Sequence, residues 1–289
     1  MGAMITSFTV ATIAREPLPI MARFLKWYLD QGAAQIIVYL DDPADPAQHE
    51  FTDPRITFRP CTDALWASVG LNATKRFTRR QNAVINAAYH ALTQGWLLVV
   101  DADELMRFEG RTLAEAVQDF PDDAVAVSVV TAEQVFLSDG TQAFRLPIPR
   151  ATVNAIYGDD AALFRPRFGL VGHADGKSFH RAGRPDIRLR QHWAHDAEGA
   201  RISDRRLAHD DGAHLLHFAT PDYDHWRAKM EWRAGASGFA EAVKVALQDR
   251  ADSKDPEAAY RTLYHTLHVL TPRIEAALDD AGGLLRLEI

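Results

Sequence analysis

An α/β fold built on a doubly wound, mostly parallel sheet with helices on both faces is what this sequence predicts, and three observations carry the prediction. A β–α–β order occupies the first forty residues. The run Trp96–Val100 is apolar at every position, which leaves no solvent-facing side and marks a strand covered on both faces. Helical and strand-like patterns then keep alternating to about residue 130.

Taken in order, Ile5 to Ile13 alternate and are rich in strand formers (Ile5, Phe8, Val10, Ile13). Glu16-Pro17 opens a helix in which Met21, Phe24, Leu25 and Tyr28 recur at i, i+3, i+4 and i+7, with Gly32 as its stop. Gln35 to Leu40 is the second strand, closing a crossover that is right-handed by the general rule. Pro43, Asp45 and Pro46 form a loop before a short strand at Arg55 to Phe58. A longer helix spans Lys75 to Thr93 with Gln81, Val84, Ile85, Ala88 and Leu92 on one face, and Gly95 ends it ahead of the apolar strand. A helix at Leu113 to Phe120 and a strand at Ala124 to Val130 complete this part. From about Phe136 to Ala213 Gly, Pro, Arg and His interrupt short strand-like pieces, a loop-rich stretch too long for mere connection. Helices return at Tyr223 to Leu247 and Pro256 to Leu278. The chain therefore divides at residues 4–135, 136–221 and 222–289, with Met1-Gly2-Ala3 ahead of Met4 set aside.

Composition narrows the function. Hydrophobic content of 47% and charged content of 25% suit a globular protein with a sizeable core. A net charge of −7 provides no basic field for nucleic acid. One cysteine, Cys61, excludes an internal disulfide and fits a reducing compartment. With no apolar run long enough to span a bilayer and no basic-then-apolar leader, the expected location is cytoplasmic, peripheral docking on a membrane through the last helices being left open.

The chemistry is concentrated where the apolar strand ends. Asp101, Asp103 and Glu104 place three carboxylates within four positions, at the strand tip where such sheets bind ligands. Unpaired, they would repel one another and raise each other's pKa, so a divalent ion is expected among them. Hard oxygen ligands of this kind suit Mg²⁺ or Mn²⁺ shared with substrate phosphates. The competing reading is the acidic first turn of a helix, with no metal. Twelve histidines include the pairs His192-x-x-His195 and His214-x-x-His217, a spacing that zinc accepts but that is a weak signal without cysteine or a helical Glu motif.

Four stretches carry a family resemblance. They are Thr12-Ile13-Ala14-Arg15-Glu16 with Phe24-Leu25-Lys26-Trp27-Tyr28; Val38-Tyr39-Leu40-Asp41-Asp42 with Asp45; Arg80-Gln81-Asn82-Ala83-Val84-Ile85-Asn86 with Gly95-Trp96 through Asp103-Glu104; and His217-Phe218 with Trp226 and Lys229. In order and spacing they resemble the family 2-like glycosyltransferases of the bacterial branch with a D-x-D-E motif. Arg15 replaces that family's usual Lys-Asn portion, and Pro43-Ala44 its serine region.

The resemblance implies a GT-A-type nucleotide-sugar-binding half at 4–135, a loop-rich acceptor region of the same domain at 136–221 and a helical segment at 222–289. It implies a metal-dependent hexosyltransferase-like enzyme that moves a sugar from a nucleotide-diphosphate donor, a UDP-sugar first among them, to a glycan, lipid-linked or other hydroxyl acceptor, with inversion. Mn²⁺ or Mg²⁺ would sit on Asp103, the firmer ligand, on Asp101, shared with the ribose, and near His217. Thr12, Ala14, Glu16, Asp41 and Asp42 would surround the nucleotide, with a turn at Pro43 as the plainer role for the two aspartates. Arg80 is expected to clamp a phosphate or stabilise Asp101, and Lys229 to reach a phosphate. Inversion needs a base, and among Glu133, Asp159, Asp160 and Asp175 the position of Glu133 after a strand favours it. Trp66, Trp193 and Phe136 are candidate sugar platforms. Two other functions stay open: a two-metal phosphoesterase or nucleotidyltransferase that adds histidines to the same carboxylates, and a non-catalytic nucleotide-sugar-binding protein.

Overall fold

The opening crossover forms as the apolar spacing requires. β1 (Phe8–Ala14) is buried along its whole length. α1 (Leu18–Asp30) buries Met21, Phe24, Leu25 and Tyr28, the predicted stripe, and β2 (Gln35–Leu40) follows. Gly32 turns the chain between them at φ +81, where an added Cβ would come within 2.7 Å of the Ala114 Cβ, so only glycine fits. The computed structural model describes residues 6–202, 204–219, 222–233 and 239–287. Ile5, Met4 and the stretch before it lie outside the described residues, as do 234–238 within the predicted Tyr223–Leu247 helix.

The chain continues through α2 (Ala47–Glu50), β3 (Ile56–Pro60), α3 (Asp63–Ser68) and α4 (Phe77–Ala91). α4 buries Gln81, Val84, Ile85, Ala88 and Tyr89, so four of the five predicted face positions point inward. β4 (Trp96–Val99) is fully buried. After it, residues 101–104 make a turn in which the Glu104 N–H donates to the Asp101 carbonyl at 3.0 Å. The turn leads into β5 (Glu104–Phe108), not into a helix, which removes the acidic-helix reading of this motif. The Trp27 indole donates to the Met106 carbonyl at 2.9 Å, and the Tyr28 hydroxyl donates to the Glu104 carbonyl at 3.0 Å, fastening α1 to β5. α5 (Leu113–Ala116), a single turn extended by a 3₁₀ turn, and β6 (Ala126–Val129) come next.

After β6 the chain departs to form β7 (Thr131–Phe136), β8 (Gln142–Arg145), α6 (Arg150–Tyr157) and α7 (Ala161–Phe164). It then returns with β9 (Lys177–Arg181), β10 (Arg188–Leu189), β11 (Ala194–His195), β12 (Arg201–Ile202) and β13 (Arg205–Leu207). β14 (Ala213–His217), α8 (Tyr223–Arg233), α9 (Glu241–Ala251), α10 (Pro256–His268), α11 (Pro272–Asp280) and β15 (Leu284–Leu285) end the chain. Pro272 explains why the predicted Pro256–Leu278 helix is two: it lacks the N–H an interior position needs and instead starts α11 behind the Thr271 cap. Two units result, residues 1–130 with 175–215 and residues 131–174 with 216–289, so β14 straddles a division. Each unit is discontinuous in sequence, whereas the sequence alone suggests breaks near 135 and 221.

In the first unit the sheet order is β13-β6-β9-β4-β1-β2-β3. β4, β1, β2 and β3 run parallel, while β9 inserts antiparallel between β4 and β6. Gly176 permits this insertion, because at φ +73 its missing Cβ would fall 1.8 Å from the Val129 carbonyl oxygen. The second unit pairs β7, β8 and β15 antiparallel and packs its helices around Trp226, Tyr264, Leu267 and Leu278. No described helix is long and apolar enough to cross a membrane.

Candidate functional site

The carboxylates at the end of β4 are not unpaired. Lys177 opens β9, and its side chain is wholly buried. Its ammonium donates to Asp101 Oδ2 at 2.8 Å and lies 3.4 Å from Glu104 Oε2. Asp101 Oδ1 accepts from the Gln81 side-chain amide at 2.7 Å, and Gln81 Oε1 in turn accepts from Gln191. This corrects the expectation of mutual repulsion relieved only by an ion. Lys177 arrives from 76 residues away in an antiparallel strand that the loop-rich pattern concealed.

The shared lysine drives the acids apart. Although loss of solvation pushes it up, Asp101 is held below the usual carboxylate range by the Lys177 ammonium, its side chain remaining 40% exposed. Glu104 is pushed up to about 8 by burial, only partly countered by Lys177, and its Oε2 accepts the Asp101 backbone N–H at 2.7 Å. At neutral pH Glu104 is therefore mainly the protonated member and Asp101 the anion. Burial depresses Lys177, but the two acids more than restore it, so its pKa ends above the ordinary lysine value. Asp103 is buried, and its charge counters the depression that burial imposes on Arg23 of α1.

Divalent-ion chemistry fits this set in part. Both oxygens of Asp101 already accept a donor, yet a carboxylate has about four acceptor sites, so each retains capacity. Asp103 supplies a second hard oxygen. Two such ligands with water and phosphate completing the shell is the pattern Mg²⁺ and Mn²⁺ accept.

Neighbouring strand tips carry the remaining predicted nucleotide residues. Asp41 directly follows β2 and is engaged by both terminal nitrogens of Arg80, one at 3.2 Å from Oδ2. The Arg80 guanidinium also lies 5.3 Å from the Trp66 ring centroid and 5.6 Å from that of Phe77. Arg80 thus steadies Asp41, neither Asp101 nor an open phosphate position. Asp42 Oδ1 accepts the Ala44 N–H at 2.9 Å, the turn role anticipated for it. Thr12 and Ala14 are buried in β1 and Glu16 is half-buried after it; the Thr12 hydroxyl oxygen has no hydrogen-bond partner. Trp66 is a core residue at 1% exposure, not a surface platform.

Glu133, His217 and Lys229 belong to the second unit. Glu133 lies inside β7, 1% exposed, and does not stand at a rim. Arg145 donates to its Oε2 at 2.5 Å, and the Val171 and Gly172 backbone N–H groups donate at 2.9 and 2.5 Å. Burial raises its pKa, but the Arg145 charge and the Val171 amide outweigh that and hold it low. A carboxylate enclosed this way cannot collect a proton from an acceptor, so the sequence-based choice of general base is corrected. His217 sits beside Gly172, where an added Cβ would be 3.3 Å from its ring, and beside Glu133. Lys229 is buried in α8, and its ammonium donates to the Ala219 carbonyl at 3.4 Å.

The histidine pairs separate. His195 Nε2 accepts from the Trp193 indole at 2.8 Å, whereas His192 Nδ1 meets the Gly176 carbonyl at 2.9 Å and exerts its charge on Asp101. His214 and His217 lie three apart on one strand, which turns their side chains to opposite faces. Lys177 and Gln191 are participants that the sequence did not single out, while Gln81, part of the resembling stretch, has its role defined only by the contact with Asp101. A lysine opening a short alternating run directly after Gly176 was the available signal, and it is weak.

No family model matches the sequence, and no curated protein matches it. Among solved structures, the mannosyltransferase PcManGT from Pyrobaculum calidifontis, in complex with GDP-Man and Mn²⁺, is similar over 96% of this chain and 76% of its own, at 17% identity and a TM-score of 0.36. Rv0371c from Mycobacterium tuberculosis H37Rv is similar over 79% of this chain and 100% of its own, at 14% identity and a TM-score of 0.34. Its manganese complex gives 13% identity over the same shares, with a TM-score of 0.32. These are distant likenesses.

Proposed function

We propose that this protein is a metal-dependent glycosyltransferase that takes a nucleotide-diphosphate sugar, a UDP-sugar first among the candidates, and transfers the sugar to a hydroxyl acceptor. One observation carries the reading: the carboxylates that follow β4 and β2, Asp101, Asp103 and Asp41, stand at the carboxyl ends of two parallel strands that flank β1, with Asp101 and Asp41 each braced by a buried or half-buried cation. Asp103 and Asp101 would hold Mn²⁺ or Mg²⁺, which when bound would offset the charge that builds on the departing diphosphate. Lys177 holds Asp101 ionised and aimed, Gln81 sets its rotation, and Glu104 ties the turn together through the Asp101 N–H. Asp41, held by Arg80, is the proposed contact for the base, with Thr12, Ala14, Glu16 and Asp42 around it. We assign Glu133 a structural role in place of a base.

Thermal-shift measurements with UDP, GDP and CDP, each with and without Mn²⁺, test this directly. A rise in melting temperature with one nucleotide only when Mn²⁺ is present supports the proposal; no shift with any of them defeats it. The enclosed state of Glu133 favours a second reading, that of a nucleotide-sugar-binding protein without turnover. It predicts the same shift but no release of nucleotide diphosphate from the donor, with or without acceptor. A two-metal hydrolase is the less favoured reading, because the paired histidines part company: His192 acts on Asp101, whereas His195 accepts from Trp193 and His214 meets Glu109.

A further inference from the structure

A second group of ligating side chains lies in the first unit at the far end of β5. Glu109 follows that strand, His209 begins the turn His209–Asp211, and His214 is the second residue of β14. Their ligand atoms all lie within 4.8 Å of one another. Glu109 lies five residues beyond Glu104, roughly 16 Å along the extended chain, so this group is distinct from the carboxylates of the β4 rim.

The His214 side chain is 1% exposed, and its Nε2 stands 3.0 Å from Glu109 Oε1. Adjacent ligand atoms about 2.0–2.1 Å from a tetrahedral zinc stand roughly 3.3 Å apart, so these two are already near the separation one ion requires. The His209 ring lies 5.1 Å from that of His214, tilted by 40°. The side chains of Glu109 and His209 are exposed, so modest rotations of them can close the remaining distance. Their backbone is not: the Glu109 N–H donates to the Gly212 carbonyl at 2.9 Å, and the Gly212 N–H donates to the His209 carbonyl at 2.8 Å. Asp211 Oδ2 accepts the Ala208 N–H at 2.9 Å, bracing the turn that presents His209. One buried imidazole is thus held on a strand, with a second imidazole and a carboxylate brought against it from rigid turns.

We propose that Glu109, His209 and His214 bind a borderline transition-metal ion of the Zn²⁺ class, with water at the fourth position. Two nitrogens and one oxygen suit Zn²⁺ better than Mg²⁺ or Mn²⁺, which favour all-oxygen shells. The ion would clip the His209–His214 segment to the end of β5. None of this depends on the glycosyl-transfer reading.

Zn²⁺ binding to the full-length protein, measured by competition with a chromogenic chelator in excess Mg²⁺, tests the site. The wild type should bind one Zn²⁺ that His209→Ala and Glu109→Gln each weaken by about 10-fold or more, while Asp103→Asn leaves it unchanged. Both substituted positions of the cluster are exposed, and melting curves without metal should overlay that of the wild type. Co²⁺ should give a tetrahedral absorption spectrum that His209→Ala abolishes. Unchanged Zn²⁺ affinity in His209→Ala and Glu109→Gln, or loss of the tight Zn²⁺ in Asp103→Asn, overturns the proposal.

Discussion

Each unit buries one cation completely against a carboxylate, yet the two pairs differ in where the carboxylate ends. Arg145 and Glu133 in the second unit are 0% and 2% exposed, and backbone N–H groups take up the remaining acceptor capacity of the acid. Lys177 in the first unit is equally buried, but the Asp101 side chain is 40% exposed, and Asp103 and Glu104 crowd beside it. A charge pair closed on all sides serves the fold alone. A pair whose cation is hidden and whose anion reaches outward holds a charged ligand group ready for use.

Substitution separates these roles. Arg145→Met should cost about 3–5 kcal/mol, the range for removing one partner of a buried pair, because Glu133 then stays uncompensated among apolar neighbours. Urea denaturation measures it, and a loss below about 1 kcal/mol would erase the distinction between the pairs. Asp103→Asn should lower donor turnover about 10²–10³-fold while leaving the denaturation midpoint close to wild type, which steady-state assays with Mn²⁺ would check. Lys177→Met should destabilise less than Arg145→Met, about 1–3 kcal/mol, because Asp101 turns to water and Glu104 keeps a proton. It should also weaken Mn²⁺-dependent nucleotide binding, whereas Arg145→Met refolded at low temperature should retain it. If Lys177→Met instead proves the more destabilising, the rim pair is structural too.

Acid should act on both units alike. His180 in β9 and His268 in α10 are buried, and loss of solvation lowers their pKa values to about 3 and about 4. His180 Nδ1 and both ring nitrogens of His268 have no hydrogen-bond partner. A histidine whose folded pKa lies below its unfolded value near 6.5 binds fewer protons when folded. Its contribution is therefore complete above about pH 6.5 and declines as pH falls toward the folded values. At pH 5.5 the loss is on the order of 1 kcal/mol for each histidine. Melting temperatures from pH 7.5 to 5 should fall accordingly, and His268→Leu should flatten its share of the slope.

Much of the framework is legible in the residues. Met21, Phe24, Leu25 and Tyr28 define the buried face of α1, and Trp96–Val100 contains a strand with both faces covered, because helical and strand periods are local properties of the chain. The aspartates at the tip of β4 follow from that strand alone. What surrounds them does not. Lys177 reaches Asp101 only because β9 enters the sheet against the direction of its neighbours, and Arg145 reaches Glu133 only through the pairing of β7 with β8. The place of Glu133 after a strand says nothing of the guanidinium opposite it.

By itself, the sequence determined the periodic elements, the parallel crossover and the identity of the acids at the strand end, since each depends on residues within a turn or two of one another. Tertiary structure alone decided which acids are charged, which are sealed away, and which histidines meet a carboxylate. Those outcomes depend on solvent exclusion and on electrostatic partners brought in from distant parts of the chain, and no local pattern encodes them.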